Sequence, residues 1–159
     1  MILCGKILKI IILNGENMQK FITNSVDETI ELGMRLAKTL KGGTVIAFFG
    51  GLGMGKTAFT RGLAKALCVK EEVSSPTFAI VNDYGGNPPL YHFDMYRVNT
   101  WDDLYSSGFF DFYEAGGILA VEWSENIENA LPENTIRVEI QRGEIDNQRI
   151  ITIDGGMEI

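Results

Sequence analysis

The chain has 159 residues, enough for one domain with a sizeable core. A hydrophobic content of 45% and a charged content of 22% match a folded soluble domain, which sets aside disordered and fibrous classes. The net charge of −7 argues against binding nucleic acid unaided, because a phosphate backbone calls for a basic face. Two cysteines, Cys4 and Cys68, make no disulfide framework and stand in no zinc-binding pattern, so both read as small apolar filler.

The N-terminal stretch Ile7 to Leu13 is mostly apolar, is interrupted by Lys9, and is too short to span a bilayer. Gly15-Glu16-Asn17 can be encoded as a ribosome-binding sequence just before the Met18 codon. The first reading is therefore a translated leader over 1–17 and a domain over 18–159. The second is an extra edge strand. Phe21-Ile22 reads as a short strand. Ser25-Val26-Asp27-Glu28 has the form of a capping box, opening a helix to about Leu40. Val26, Ile30, Met34, Ala37 and Leu40 are expected on its inner face, and Lys41-Gly42-Gly43 stops it.

Thr44 to Phe49 is an apolar, β-branched run and reads as a buried strand. It leads into Gly50-Gly51-Leu52-Gly53-Met54-Gly55-Lys56-Thr57, which matches the phosphate-loop pattern G-x-x-x-x-G-K-[ST]. A helix over Lys56 to Cys68 follows, with Phe59, Leu63, Ala66 and Leu67 at helical spacing. Strand, glycine-rich loop and helix in this order supply a mechanism. The backbone of Gly50, Leu52, Gly53, Met54 and Gly55 curls so that N–H groups point at phosphate oxygens, and the helix N-terminus adds its partial positive charge. Lys56 reaches the β- and γ-phosphates, and the Thr57 hydroxyl is a Mg²⁺ ligand.

Val73 to Phe78 reads as a loop centred on Pro76. Ala79 to Val81 and Leu90 to Met95 read as strands joined by the turn-rich stretch Tyr84 to Pro89. Trp101 to Ser107 is expected to be a short helix, Gly117 to Val121 a buried strand, and Ser124 to Leu131 a helix ended by Pro132. Ile136 to Ile140 and Ile150 to Ile153 flank a polar turn and read as a closing hairpin. The sum is an α/β fold: a single-domain P-loop NTPase with a central mixed β-sheet, flanking helices and a C-terminal hairpin.

Hydrolysis also needs a carboxylate at the end of a buried strand to hold the metal or its water. Glu122 follows Gly117 to Val121 in that place, with Trp123 after it. Asp94 is a second candidate. In a strand through Tyr91 to Arg97, His92, Asp94 and Tyr96 share one face while Phe93 and Met95 point to the core. Asp94 can orient the attacking water, or else pair with Arg97 or Lys56. His92 is the only histidine and reads first as a hydrogen-bonded structural residue. Ser74-Ser75-Pro76-Thr77 is a hydroxyl-rich loop placed where a γ-phosphate switch belongs, with Thr77 as the contact.

The series GGLGMGKT, SSPTF, YHFDMYR and AVEW resembles the TsaE family, the bacterial P-loop ATPases formerly called YjeE, over about Thr29 to Leu131. The resemblance implies a cytoplasmic protein that binds ATP or ADP with Mg²⁺. It implies ATP hydrolysis in the threonylcarbamoyl modification of adenosine at position 37 of tRNA. TsaD and TsaB are its implied partners, reset between cycles, with tRNA met only through that complex and no membrane involved. By matching position, Lys56, Asp94 and Glu122 are the implied catalytic residues, Thr57 and Glu122 the metal side, and Thr77 the switch. Gly51 stands where the family usually has an acidic residue, and Met54 where it has a small one.

Other classes leave other marks. A P-loop small-molecule kinase usually carries an Arg-rich lid, and the arginines here are scattered. A GTPase needs an N-K-x-D motif, which is missing. A non-hydrolysing nucleotide-binding module keeps Lys56 and Thr57 but has no need of Glu122 or Asp94. Base contacts are assigned either to Ser25 to Thr29 or to the hairpin around Arg149.

Overall fold

A computed structural model describes residues 7–11 (8–11 as backbone alone), 17–76 and 79–159. The described elements are β1 (Leu8–Ile11), β2 (Met18–Thr23), α1 (Val26–Ala37), β3 (Val45–Phe49), α2 (Lys56–Ala66), β4 (Val81–Gly86), β5 (Pro89–Asp94), α3 (Trp101–Ser106), α4 (Phe109–Glu114), β6 (Ile118–Glu122), a 3-10 helix (Ser124–Ala130), β7 (Ile136–Arg142) and β8 (Arg149–Asp154).

One eight-stranded sheet runs in the order β1-β2-β8-β7-β3-β6-β5-β4. Its centre, β7-β3-β6-β5, is parallel, and the outer pairings are antiparallel. The sheet is therefore mixed, as expected, and β7 and β8 form the closing hairpin. Parallel strands are covered on both faces, so they are apolar throughout. All five residues of β6 are buried. On one face, Leu32, Leu36, Phe59 and Leu63 of α1 and α2 pack on Ile46, Phe48, Ala120 and Val138. On the other, Leu104 and Phe109 of α3 and α4 pack with Phe93, Leu119 and Val121.

Several local expectations shift. The buried face of α1 is Thr29, Leu32, Gly33, Leu36 and Ala37, whereas Val26 is 61% exposed and Ile30 and Met34 are half-buried. The reason is the crossing with α2. A Cβ on Gly62 would lie 2.1 Å from the Ile30 carbonyl oxygen and 2.9 Å from Gly33 Cα, and a Cβ on Gly33 would lie 2.3 Å from the Phe59 oxygen. Two glycines let the helix backbones touch, and that contact fixes the rotation of α1. The helix stops at Ala37 rather than Leu40, because the Thr39 amide and hydroxyl both donate to the Leu36 carbonyl, at 2.9 and 2.8 Å. At its start, the Glu28 amide donates to Ser25 Oγ at 3.1 Å, but the Glu28 carboxylate accepts from the Asn24 amide at 2.7 Å, one residue before its expected partner.

The first strand of the second hairpin is Val81–Gly86, not Ala79 to Val81, because pairing with β5 carries it through an irregularity between Asp83 and Gly86. Helix α4 was not expected; its aromatic-rich sequence shows no clean period, yet Phe109 and Phe112 both stack edge-on against Phe93, with centroids 5.7 Å apart. Residues Ser124–Ala130 are 3-10 rather than α-helical. Leu8–Ile11 pairs with β2 as an antiparallel edge strand. Cys68 is exposed at the end of α2, so it is not filler, and Cys4 lies outside the described residues. Among the described residues no helix is long and apolar enough to cross a membrane.

The α1–α2 contact yields a stability test. Gly62→Ala is expected to lower stability by about 1–3 kcal/mol through overpacking against the α1 backbone. Urea unfolding of the variant beside the parent chain measures it.

Candidate nucleotide site

The central parallel strands end together, and ligands in such sheets lie beyond the carboxyl ends of the strands. Gly50 leaves β3 at φ 128°, a conformation that side chains rarely adopt, and a Cβ there would sit 2.5 Å from the Ile140 carbonyl oxygen of β7. Gly55, at φ 111°, turns the loop into α2. Only glycine satisfies both positions. Gly51 differs: a Cβ there meets nothing within 4 Å, so the loop itself places no demand on that residue.

Lys56 is only 5% exposed. Its Nζ donates to the Gly50 carbonyl at 2.7 Å and the Gly51 carbonyl at 2.8 Å, and it lies 5.5 Å from the centroid of the Trp123 ring. The ammonium is therefore satisfied by the loop that it serves. Thr57 opens α2, and its hydroxyl donates to Glu122 Oε1 at 3.2 Å. Glu122 closes β6, is 5% exposed, and takes a second bond at the same oxygen from His92 Nε2 at 2.9 Å. A carboxylate only accepts, so Nε2 carries the hydrogen.

Asp94 closes β5 directly beside Glu122 in register. It is half-buried, and its Oδ1 accepts from the Tyr96 amide at 2.9 Å. That local turn stands where the alternative reading had an ion pair with Arg97 or Lys56. Phe93 and Met95 do point to the core, while His92, expected on a polar face, is fully buried. Trp123 has a left-handed backbone (φ 57°) and stacks on Tyr96 at 4.9 Å while it borders Lys56. Leu52 to Thr57, Ser75, Asp94, Glu122 and Trp123 line one cleft of about 280 Å³. Thr77 lies outside the described residues; Ser75 of the same loop reaches the cleft.

The donor set suits a hard cation. The hydroxyls of Thr57 and Ser75 and the carboxylates of Glu122 and Asp94 border the cleft, and no group of three or more His, Cys, Asp or Glu side chains able to hold a metal occurs among the described residues. Mg²⁺ is held in this way, by one or two protein oxygens with phosphate and water supplying the rest. Of the two stretches named for base contacts, the hairpin touches this loop and also meets the residue just before the other stretch. Arg149 Nε donates to the Met54 carbonyl at 2.9 Å, and Gln148 Nε2 donates to Asn24 Oδ1 at 3.0 Å, beside the start of α1. The links from His92 to Glu122 and from Arg149 to the loop were not visible in the sequence. Only the shared parity of His92 and Asp94 pointed toward the first.

Comparison with known proteins agrees with this geometry. A family profile described as "Threonylcarbamoyl adenosine biosynthesis protein TsaE" matches residues 23–151. The chain is 34% identical over 132 residues to a Treponema pallidum protein named tRNA threonylcarbamoyladenosine biosynthesis protein TsaE, covering 83% of this chain and 97% of that one. It is 41% identical over 138 residues to the protein of the same name from Aquifex aeolicus, covering 80% and 98%. The crystal structure of Bacillus subtilis YdiB superposes with a TM-score of 0.71 at 31% identity, covering 89% of this chain and 88% of that one. With the loop, the strand-end carboxylates and the mixed sheet in place, the chain belongs to the TsaE family.

Proposed function

We propose that this protein binds ATP and ADP with Mg²⁺, hydrolyses ATP, and serves tRNA threonylcarbamoyladenosine biosynthesis at position 37. In this reading its turnover resets a TsaD–TsaB complex between cycles, in the cytoplasm, with tRNA met only through that complex. The observation that carries the ATPase chemistry is the junction of Thr57 and Glu122, a loop hydroxyl 3.2 Å from a strand-end carboxylate. A module that merely held nucleotide has no need to bury that carboxylate there. The family membership supports the pathway.

The roles follow from the side chains. Backbone N–H groups of Gly53 to Lys56 and the N-terminus of α2 receive the phosphates. Lys56 exchanges the Gly50 and Gly51 carbonyls for phosphate oxygens, which are stronger, charged acceptors. Thr57 and Glu122 hold the cation side; when bound, Mg²⁺ offsets the charge that develops on the transferred phosphoryl group. Asp94, half-buried at the neighbouring strand end, is placed to orient the attacking water. Trp123 screens Lys56 from solvent on one side.

The deciding experiment is ATP hydrolysis by this protein alone and with TsaD and TsaB. Turnover that rises with the partners supports the reading; nucleotide binding with no turnover in either condition overturns it in favour of a non-hydrolysing module. Lys56→Ala is expected to weaken ATP binding by about 1.5–3 kcal/mol, measured by calorimetry, through loss of a charge-assisted phosphate contact. Glu122→Ala is expected to bind ATP as the parent does while losing turnover, and a variant that still hydrolyses would place the metal elsewhere. Gly50→Ala is expected to weaken ADP binding by about 10-fold or more, because backbone strain of order 1–3 kcal/mol distorts the cradle. Gly51→Ala is expected to bind ADP like the parent, since its Cβ meets nothing within 4 Å.

A further inference from the structure

His92 occupies an interior position of β5, which pairs with β4 on one side and β6 on the other. It is fully buried. The apolar residues of this sheet face, such as Leu90 two places before it and Ala120 beside it in register, form the core under α1 and α2. An apolar side chain would complete that layer. The imidazole instead leaves Nδ1 buried with no hydrogen-bond partner among the described residues. An orphaned buried polar atom is destabilising, because it loses its bonds to water and gains none in return. Packing alone therefore does not account for a histidine here, and what the ring gains must lie at Nε2.

That nitrogen makes one bond, to Glu122 Oε1 at 2.9 Å. Thr57 donates to the same oxygen at 3.2 Å. Both bonds fall on Oε1, and no hydrogen bond among the described residues falls on Oε2. Tyr84 lies beside the ring, with centroids 6.4 Å apart, and its hydroxyl donates to the Ser74 carbonyl at 2.8 Å. Thr57 is only half-buried at the cleft, so the His92 bond is the interior anchor of this carboxylate.

We propose that His92 is a positioning residue for Glu122: its Nε2–H pins Oε1 within the sheet and leaves Oε2 as the oxygen offered to the cation or its water. The inference rests on the Mg²⁺-nucleotide reading above and deepens it. Carboxylate ligands need such outer partners because a free carboxylate rotates and spreads over several orientations, which weakens the fraction aimed at the metal.

The test titrates Mn²⁺, a spectroscopic stand-in for Mg²⁺, into the full chain saturated with ADP and reads free Mn²⁺ by electron paramagnetic resonance. His92→Phe keeps the ring and removes the donor; His92→Gln keeps a donor near the Nε2 position. Thermal unfolding is recorded for each. His92→Phe is expected to weaken Mn²⁺ binding by about 10-fold or more, the usual loss for an outer-shell partner, with metal-free ADP affinity unchanged. His92→Gln is expected to restore most of it. In turnover with TsaD and TsaB, His92→Phe lowers kcat and leaves KM for ATP near the parent value. Equal Mn²⁺ affinity in parent and His92→Phe overturns the proposal. So does an equal loss in both variants that tracks a shared fall in melting temperature, since that is the mark of packing alone. A parent chain that binds Mn²⁺-ADP but never hydrolyses ATP overturns the ATPase reading, while the Mn²⁺ comparison still decides the role of His92.

Discussion

A buried carboxylate at the end of a central strand is the constraint around which the site is organised. Burying Glu122 at 5% exposure is unfavourable unless hydrogen bonds replace the lost water. Two side chains supply them, and they come from different elements. Thr57 belongs to the first turn of α2, and His92 to β5. The carboxylate thus joins the phosphate loop to the neighbouring strand across 65 and 30 residues of sequence respectively. Removing either donor leaves an acceptor short of a partner, so the charge is also a register mark: β3, β5 and β6 must be aligned for both bonds to form.

That alignment is set elsewhere, by packing. The α1–α2 crossing brings two helix backbones into contact through Gly33 and Gly62, and it fixes how deeply α2 lies on the sheet. The first turn of α2 carries Lys56 and Thr57, so the depth of the helix decides whether the Thr57 hydroxyl reaches Glu122. The second close approach, Gly50 against the Ile140 carbonyl, holds the start of the loop on β7. Arg149 on β8 holds its middle through the Met54 carbonyl. The loop is fastened at both ends and at its centre by elements with no catalytic chemistry of their own.

What could be read in the sequence divides along the same line. The loop, β3, β6 and the strand-end acids were legible because they follow local rules: a fixed glycine pattern, short apolar runs and the position of a carboxylate after one. The rotation of α1 was not, because its apolar periodicity spans more than one face and a contact with Gly62, on another helix, selects among them. Helix α4 was hidden because six aromatic-rich residues follow no period until Phe93 gives them something to pack against. The contact between His92 and Glu122 was concealed for a related reason. Its parity placed it beside Asp94, but the bond to Glu122 depends on the parallel pairing of β5 with β6, which no local pattern specifies. Sequence reading recovers chemistry carried by one segment and loses chemistry shared between two.

Lys56 illustrates what this sharing does to energetics. Its ammonium is buried, and its two hydrogen bonds are to carbonyls of the same loop. The loop is thus closed on its own cation. A nucleotide does not meet a free positive charge; it must supply acceptors better than two backbone carbonyls and a tryptophan face. Phosphate oxygens do so because they carry charge, whereas a neutral ligand exchanges like for like and gains little. The net worth of the lysine is therefore a difference between two satisfied states, smaller than a bare ion pair in a dry site would suggest. On the proposed reading the same difference favours polyanions, since a ligand with several charged oxygens can replace the Gly50 and Gly51 carbonyls together.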